Sequence, residues 1–286
     1  MNRRINRRIN RRINRRQVLL GSLGLTVAPL LHAANSDEPG DIRLAVATYS
    51  FRKFSRAETI KMTLQLGVHF VDVKEFHLPY KDTHGQLEAG RKEFEDAGLK
   101  IVAGGNVTMS KDDEADLRRY FEYARTCGMP MMVIAPTHDN LPKIEKLVKE
   151  YNIKVAIHNH GPEDKNFPTP QSVLEAVKDM DPRVGLCMDV GHTARTGKDV
   201  VESIAEAGTR LLEMHAKDLK SFTDKASQVP VGDGIMPIPA IFRQLRKMNY
   251  PGYCSLEYEI DETNPLPGMM KSFAYMRGVI AGQRNA

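Results

Sequence analysis

The order of segments restricts the fold of this chain more than any other feature. Eight strand-like runs (Leu44–Phe51, Phe70–Phe76, Lys100–Val107, Met131–Ala135, Lys154–His160, Val184–Val190, Leu211–Ala216 and Tyr253–Tyr258) alternate with eight amphipathic, helix-like runs (Arg56–Gln65, Gln86–Ala97, Asp113–Thr126, Leu141–Tyr151, Pro170–Lys178, Asp199–Ala207, Pro239–Met248 and Pro267–Ile280). Strict alternation favours a parallel sheet. The punctuation agrees. Thr169-Pro170 reads as an N-cap followed by proline at the first helical position, and Gly98, Gly128 and Gly208 stand where helices should stop. Eight such units match a (β/α)8 TIM barrel of about 250 residues. A doubly wound open sheet is the alternative. It would call for a glycine-rich phosphate loop after the first strand, where the chain reads ATYSFRKFS. No linker or shift in composition divides residues 35–286, which read as one domain.

The charge has to be read in two parts. The formal net charge of the 286 residues is +5, but residues 1–34 hold eight arginines and no acid, so residues 35–286 carry −3. The basic leader therefore accounts for the overall sign, and it gives no ground for nucleic-acid binding. That leader has a basic n-region, an apolar run ending at Leu31, and small residues at Ala33 and Ala34, the pattern of an export signal peptide over residues 1–34. Arg15-Arg16, directly ahead of the apolar run, resembles a twin-arginine signal, with an ordinary secretory signal or an uncleaved anchor as the alternative. The run is short and broken by glycine, so no stable membrane insertion is expected after export, and the expected location is periplasmic or secreted. Cys127, Cys187 and Cys254 are odd in number and lack paired spacing, which implies small core residues rather than a disulfide framework.

In a barrel of this type the chemistry sits at the C-terminal ends of the strands. The second strand-like run leads to Lys74, Glu75 and His77; the fifth to His158 and His160; the sixth to Asp189, with His192 three residues on; the seventh to His215, Lys217 and Asp218; the eighth to Glu257 and Glu259. His158 and His160, at i and i+2, share one strand face. Taken singly, a strand-end acid is more often a helix cap or an ion-pair partner. His158, Asp189, His215 and Glu257, from four consecutive strands, converge on one rim and read together as ligands of one divalent metal. Two imidazoles with two carboxylates suit manganese, iron, cobalt or zinc better than calcium or magnesium. Manganese is the first choice, and magnesium is kept as an alternative. His160 is assigned to substrate or to support of the site, with His160 as the ligand in place of His158 an open variant. His192 is assigned to substrate, or to support of Asp189; Lys217 to oxyanion charge or a substrate hydroxyl, or to a surface pair with Asp218.

The chain resembles the sugar phosphate isomerase/epimerase superfamily, the xylose isomerase-like barrels. The resemblance runs over most of residues 42–282 and is carried by HNHG, TPQSVLEAV, VGLCMDVGHTARTGKD, LLEMHAKDL, VGDGIMPIPAIFRQL and SLEYE. It implies a metal-dependent (β/α)8 enzyme acting on a keto or aldo sugar, with metal ligands on strands five to eight at His158, Asp189, His215 and Glu257. Two departures stand out. Many relatives have Glu where this chain has His158, and in the epimerases that Glu doubles as an acid-base group. The second strand of relatives often ends in Val-Glu, where this chain reads Val73-Lys74-Glu75-Phe76-His77.

These residues predict an enzyme that abstracts the proton beside the carbonyl of an unphosphorylated keto-sugar, as an isomerase or epimerase. Glu257 is the first candidate base, and Lys74, Glu75 and Lys217 are further catalytic candidates. His77, His160 and His192 are expected to bind substrate. With one carboxylate of the usual pair missing, a lyase or hydratase working through the same enediolate is the alternative. A non-catalytic periplasmic sugar- or metal-binding protein and a zinc hydrolase are further rivals. A DNA-repair endonuclease of the same barrel type would need a zinc cluster and a basic face, which a body at −3 does not offer. The expected partner is a small sugar, with no nucleic acid, and a homo-oligomer is left open.

Overall fold

Along each strand the side chains alternate between two environments. In the fifth strand Val155 and Ile157 join a large apolar cluster with Leu186, Met188, Ile144 and Leu147, while Ala156 belongs to a small separate cluster with Ala103, Met131, Val133 and Cys187. The first set is the layer between strands and helices. The second lines the narrow interior, below the polar groups at the strand ends.

These strands belong to a computed structural model that describes residues 41–284; the expected signal at 1–34 lies outside the described residues. The eight strands are β1 (Arg43–Ala47), β2 (Phe70–Val73), β3 (Lys100–Met109), β4 (Met131–Pro136), β5 (Lys154–His158), β6 (Val184–Asp189), β7 (Leu211–Ala216) and β8 (Tyr253–Leu256). All pair in parallel with their sequence neighbours, and β8 returns to β1 with Arg43 opposite Tyr253 and Val46 opposite Leu256, closing the barrel. The expected (β/α)8 fold is the observed one. The helices are α1 (Arg56–Gln65), α2 (His84–Asp96), α3 (Glu114–Thr126), α4 (Leu141–Tyr151), α5 (Pro170–Val177), α6 (Val190–Arg195), α7 (Val200–Ala207), α8 (Ile238–Lys247) and α9 (Leu266–Arg284). Ser55 with Glu58, Thr83 with Gln86, and Thr169 with Ser172 form reciprocal caps at the starts of α1, α2 and α5, each contributing about 1 kcal/mol. Among the described residues no helix is long and apolar enough to cross a membrane. The three cysteines are buried and free.

Three local features depart from simple alternation. β1 stops at Ala47 and Thr48–Phe51 turn into a 3-10 helix. Hydroxyls draw the chain off the ladder there: Thr48 Oγ1 accepts from the Lys74 N–H, and Ser50 Oγ accepts from the Tyr258 N–H. The sixth run ends at Asp189 because Asp189 caps the short helix α6, accepting from the His192 N–H at 2.8 Å. After β7, Asp218–Leu219 pair antiparallel with Gln228–Val229. The Asp218 carboxylate gathers the backbone N–H groups of Leu219, Gly232, Gly234 and Met236. That tethers the loop before α8, and a Cβ on Gly234 would strike the same carboxylate.

Candidate metal centre and active site

Four buried donors meet where β5 to β8 end. His158 is the last residue of β5 and Asp189 the last of β6; His215 is the penultimate residue of β7. Glu257 follows β8 directly, its N–H donating to the Ala216 carbonyl. One atom from each lies within 4.8 Å of the other three. His158 Nε2 stands 3.1 Å from His215 Nδ1 and 3.7 Å from Asp189 Oδ2, and His215 Nδ1 stands 3.5 Å from Glu257 Oε2. Donors sharing one ion at about 2.0–2.2 Å lie roughly 3–4 Å from one another, so the spacing fits a divalent metal. The two oxygens of Asp189 divide their work: Oδ1 serves as the α6 cap, and Oδ2 is turned to His158 Nε2 and Lys217. Asp189 is thus both the helix cap and a candidate ligand, with a different oxygen for each. Cys187 also comes within ligand distance of His158 and His215. Burial pushes its thiol up to about 12, so the ionised carboxylates of the four-residue set are the stronger claim.

Lys217 organises the charge. Its Nζ is 2.7 Å from Glu259 Oε2, 2.8 Å from Glu257 Oε2 and 3.1 Å from Asp189 Oδ2, and the side chain is only 5% exposed. The surface pair with Asp218 is not formed, since Asp218 is turned to the loop tether. Burial acts against the ammonium, but Asp189, Glu257 and Glu259 outweigh it and hold its pKa well above the usual lysine range. Conversely, burial pushes Asp189 and Glu257 up, and Lys217 overcomes it and keeps both ionised. Burial, with His160 and His215 nearby, drives His158 well below the usual imidazole range. His215 moves the other way: burial opposes its charge, but Cys187, Glu257 and Asp72 favour it.

The histidines expected to touch substrate divide. His160 packs against His158 with ring centroids 4.3 Å apart and the planes tilted by 45°, and its nitrogens reach Asn106 Nδ2 at 2.8 Å and Asp164 Oδ2 at 3.2 Å. His192 is 5.8 Å from the His158 ring and 5.9 Å from that of His160. His160 and His192 line a cleft of about 410 Å³ with Glu163, Asp164, Lys225 and Glu259, within the range of small-molecule sites. His77 does not join them. It is 1% exposed, its Nε2 meets Thr59 Oγ1 at 2.9 Å and the Phe51 carbonyl at 3.3 Å, and its Nδ1 meets Thr48 Oγ1 at 3.1 Å. The reading of His77 as a substrate contact is replaced by that of a pin between the β1 turn and α1, because both ring nitrogens are occupied by protein. Lys74 pairs with Glu75 at 2.8 Å and donates to the Asn106 carbonyl, which ties the end of β2 to His160.

Three contributors were not given a role from sequence. Glu259 is the third anchor of Lys217. Asn106 joins Lys74 to His160; an asparagine inside a strand-like run was the available signal. Asp72 approaches His215 Nε2 at 3.4 Å from the far side of the interior; its spacing of two from Lys74 was the signal that it faces inward.

Comparison with known proteins agrees with the barrel fold. Residues 60–279 match the family model of xylose isomerase-like TIM barrels, and the chain belongs to that family. Inosose dehydratase of Mesomycoplasma hyopneumoniae (strain 7448) is 32% identical over 162 residues, 49% of this chain and 53% of that protein. The match thus spans about half the length of that relative. Among solved structures, the IolI protein with a bound zinc atom superposes with a TM-score of 0.71 at 17% identity, covering 84% of this chain and 99% of that one. L-ribulose 3-epimerase does so with 0.70 at 17% identity, covering 85% and 96%. At these identities the two structures speak for the fold alone.

Proposed function

We propose that this protein is a metal-dependent enzyme of the sugar isomerase or epimerase type, removing the proton beside the carbonyl of an unphosphorylated keto-sugar. The observation that carries the reading is the buried set of two imidazoles and two carboxylates, with Lys217 bridging the carboxylates, at the C-terminal end of the barrel. His158, Asp189, His215 and Glu257 would hold the ion, manganese first, with zinc, cobalt, iron or magnesium as alternatives. When bound, it would supply Lewis-acid polarisation of the carbonyl and the neighbouring hydroxyl.

The chain's own residues supply the proton chemistry. Glu257 is ionised across the working range, so it accepts a proton without first losing one. Its basicity is restrained by Lys217 at 2.8 Å, an ammonium it shares with Glu259 at 2.7 Å and Asp189 at 3.1 Å. Lys217 also offers a positive charge to a developing oxyanion. His160 and His192, on the wall of the cleft, orient the sugar. Lys74 and Glu75 are the second proton handlers.

Elimination or hydration of a keto-sugar or keto-glycoside is the second reading. It is favoured by His158 standing where relatives carry an acid-base Glu, and by the likeness to a protein named inosose dehydratase. The Arg15-Arg16 leader supports export of the folded enzyme to the periplasm or beyond, which is why a sugar without phosphate is proposed. Incubation of the metal-loaded protein with a panel of keto-sugars in D2O, followed by NMR, tests the proposal. Deuterium at a carbon beside the carbonyl supports it. Cleavage with water uptake and no deuterium in the sugar would point to a hydrolase, and binding without turnover to a binding protein.

A further inference from the structure

Among the described residues, Asp72 is the one carboxylate of β1 to β4 that reaches a candidate metal ligand. It lies on β2, its ladder partners are Ala47 and Ala103, and it is 1% exposed. Two alanines in register leave its side chain free to extend across the interior toward β7. There Asp72 Oδ2 stands 3.4 Å from His215 Nε2. The other nitrogen of that ring, Nδ1, faces His158 Nε2 and Glu257 Oε2, at 3.1 and 3.5 Å. An imidazole that donates from Nε2 to a carboxylate keeps its lone pair on Nδ1, and here Nδ1 is the nitrogen turned to the ligand cluster.

We infer that Asp72 is a positioning residue: it fixes the tautomer and ring orientation of His215 and thereby sets the affinity of the centre for its ion. This inference rests on the four-ligand reading above. A carboxylate serving only to fill the interior would be expected to have both oxygens satisfied. Among the described residues Asp72 Oδ1 has no hydrogen-bond partner, while Oδ2 faces the ring of His215. The neighbouring positions show the contrast. Ala45, Ala47, Ala103 and Ala156 around it are buried and small, and the other interior carboxylate, Glu213 on β7, is engaged by the Ser255 hydroxyl instead.

The test uses the full chain with Asp72→Ala and Asp72→Asn, and two readouts that do not depend on turnover. The first is Co2+ affinity by calorimetry, with the visible spectrum of the bound ion. Asp72→Ala should weaken binding by about 10–100-fold, the usual effect of losing the hydrogen-bond partner of a ligating histidine. Asp72→Asn keeps an acceptor oxygen and should recover most of that loss. The second is the His215 ring by 15N NMR in the ion-free protein, brought to a pH alkaline enough to leave the ring neutral. The wild type should carry its proton on Nε2, and Asp72→Ala should shift the population toward Nδ1–H. Should Asp72→Ala fail to fold, the near-isosteric Asp72→Asn, with its tautomer population, carries the test. Unchanged Co2+ affinity in both variants overturns the inference, as does a wild-type ring protonated on Nδ1 alone. If the wild type binds no Co2+, the metal reading fails with it; an Nε2 proton held by Asp72 would then show that the hydrogen bond exists without a metal role.

Discussion

His77 and His158 are almost equally buried, at 1% and 3% exposure, yet they sit in opposite halves of the barrel and do opposite things. At the β1–β2 end, His77 has both nitrogens engaged by Thr48, Thr59 and the Phe51 carbonyl. At the β5–β8 end, His158 has one nitrogen without a partner, and the other faces His215 and Asp189. Burial does not separate a structural histidine from a ligand. The partners of the ring nitrogens do: those of His77 are hydroxyls and a carbonyl of the surrounding fold, whereas His158 Nε2 faces only other candidate ligands.

The contrast breaks most visibly at the ligands. Asp189→Ala and His158→Ala should each remove the ion and, with it, turnover, by ~10³-fold or more; metal analysis with an assay in D2O checks both, and chelation of the wild type should match them. Full activity in ion-free protein would end the metal reading. Next in size, Glu257→Gln should lower turnover by ~10²–10⁴-fold, the range for losing a general base. Lys74→Ala and Glu75→Ala sharpen the comparison from the other half: turnover falls within the same range, toward its lower end, while metal content stays at the wild-type level. Near wild-type rates in both would leave the proton work to Glu257 and solvent.

The smallest effect belongs to His77. Its replacement by alanine leaves Thr48, Thr59 and the Phe51 carbonyl short of partners, so about 1–3 kcal/mol of stability should be lost without change in metal content. Burial, opposed in part by the Phe51 carbonyl, lowers its pKa from 6.5 to about 4. The unfolded chain then binds a proton that the folded chain refuses. This contribution is fully present above about pH 6.5 and is lost as pH falls toward 4, at most roughly 3 kcal/mol. Urea unfolding of wild type and His77→Gln at pH 7 and pH 4.5 measures it; a wild-type loss on acidification that is no larger than the variant's would show that His77 is not the group responsible.

The sequence carried the barrel and the four convergent donors because both are written in short, regular patterns. The period-2 runs and their spacing set the strands, and His158, Asp189, His215 and Glu257 each fall at a strand end. What it did not carry depends on partners far away in the chain. Lys217 could not be assigned to Glu257 and Glu259 rather than Asp218 from spacing alone, because adjacency in sequence favours the wrong neighbour. His77 looked like its relatives at other strand ends until Thr48 and Thr59 were seen to enclose it. Asp72 and Asn106 read as ordinary strand residues, since their partners, His215 and His160, lie 143 and 54 positions on. The short helix α6 was hidden by its own cap, Asp189, which reads equally well as the end of a strand.

The strand that closes the barrel has a consequence for assembly. β8 pairs with β1 across some 210 residues, and Glu257 follows directly on it. The fourth donor is placed from the other side, by β7, where Ser255 stands opposite His215 and the Glu257 N–H donates to Ala216; the pairing with β1 is the long-range, slow kind of contact in folding. An ion held by all four residues would favour chains with β5 to β8 already assembled, the more so as its concentration exceeds its dissociation constant. Metal uptake would then hold β8 in place for β1 to find, and the rate at which β8 gains hydrogen-exchange protection should rise with the ion while that of β3 and β4 does not.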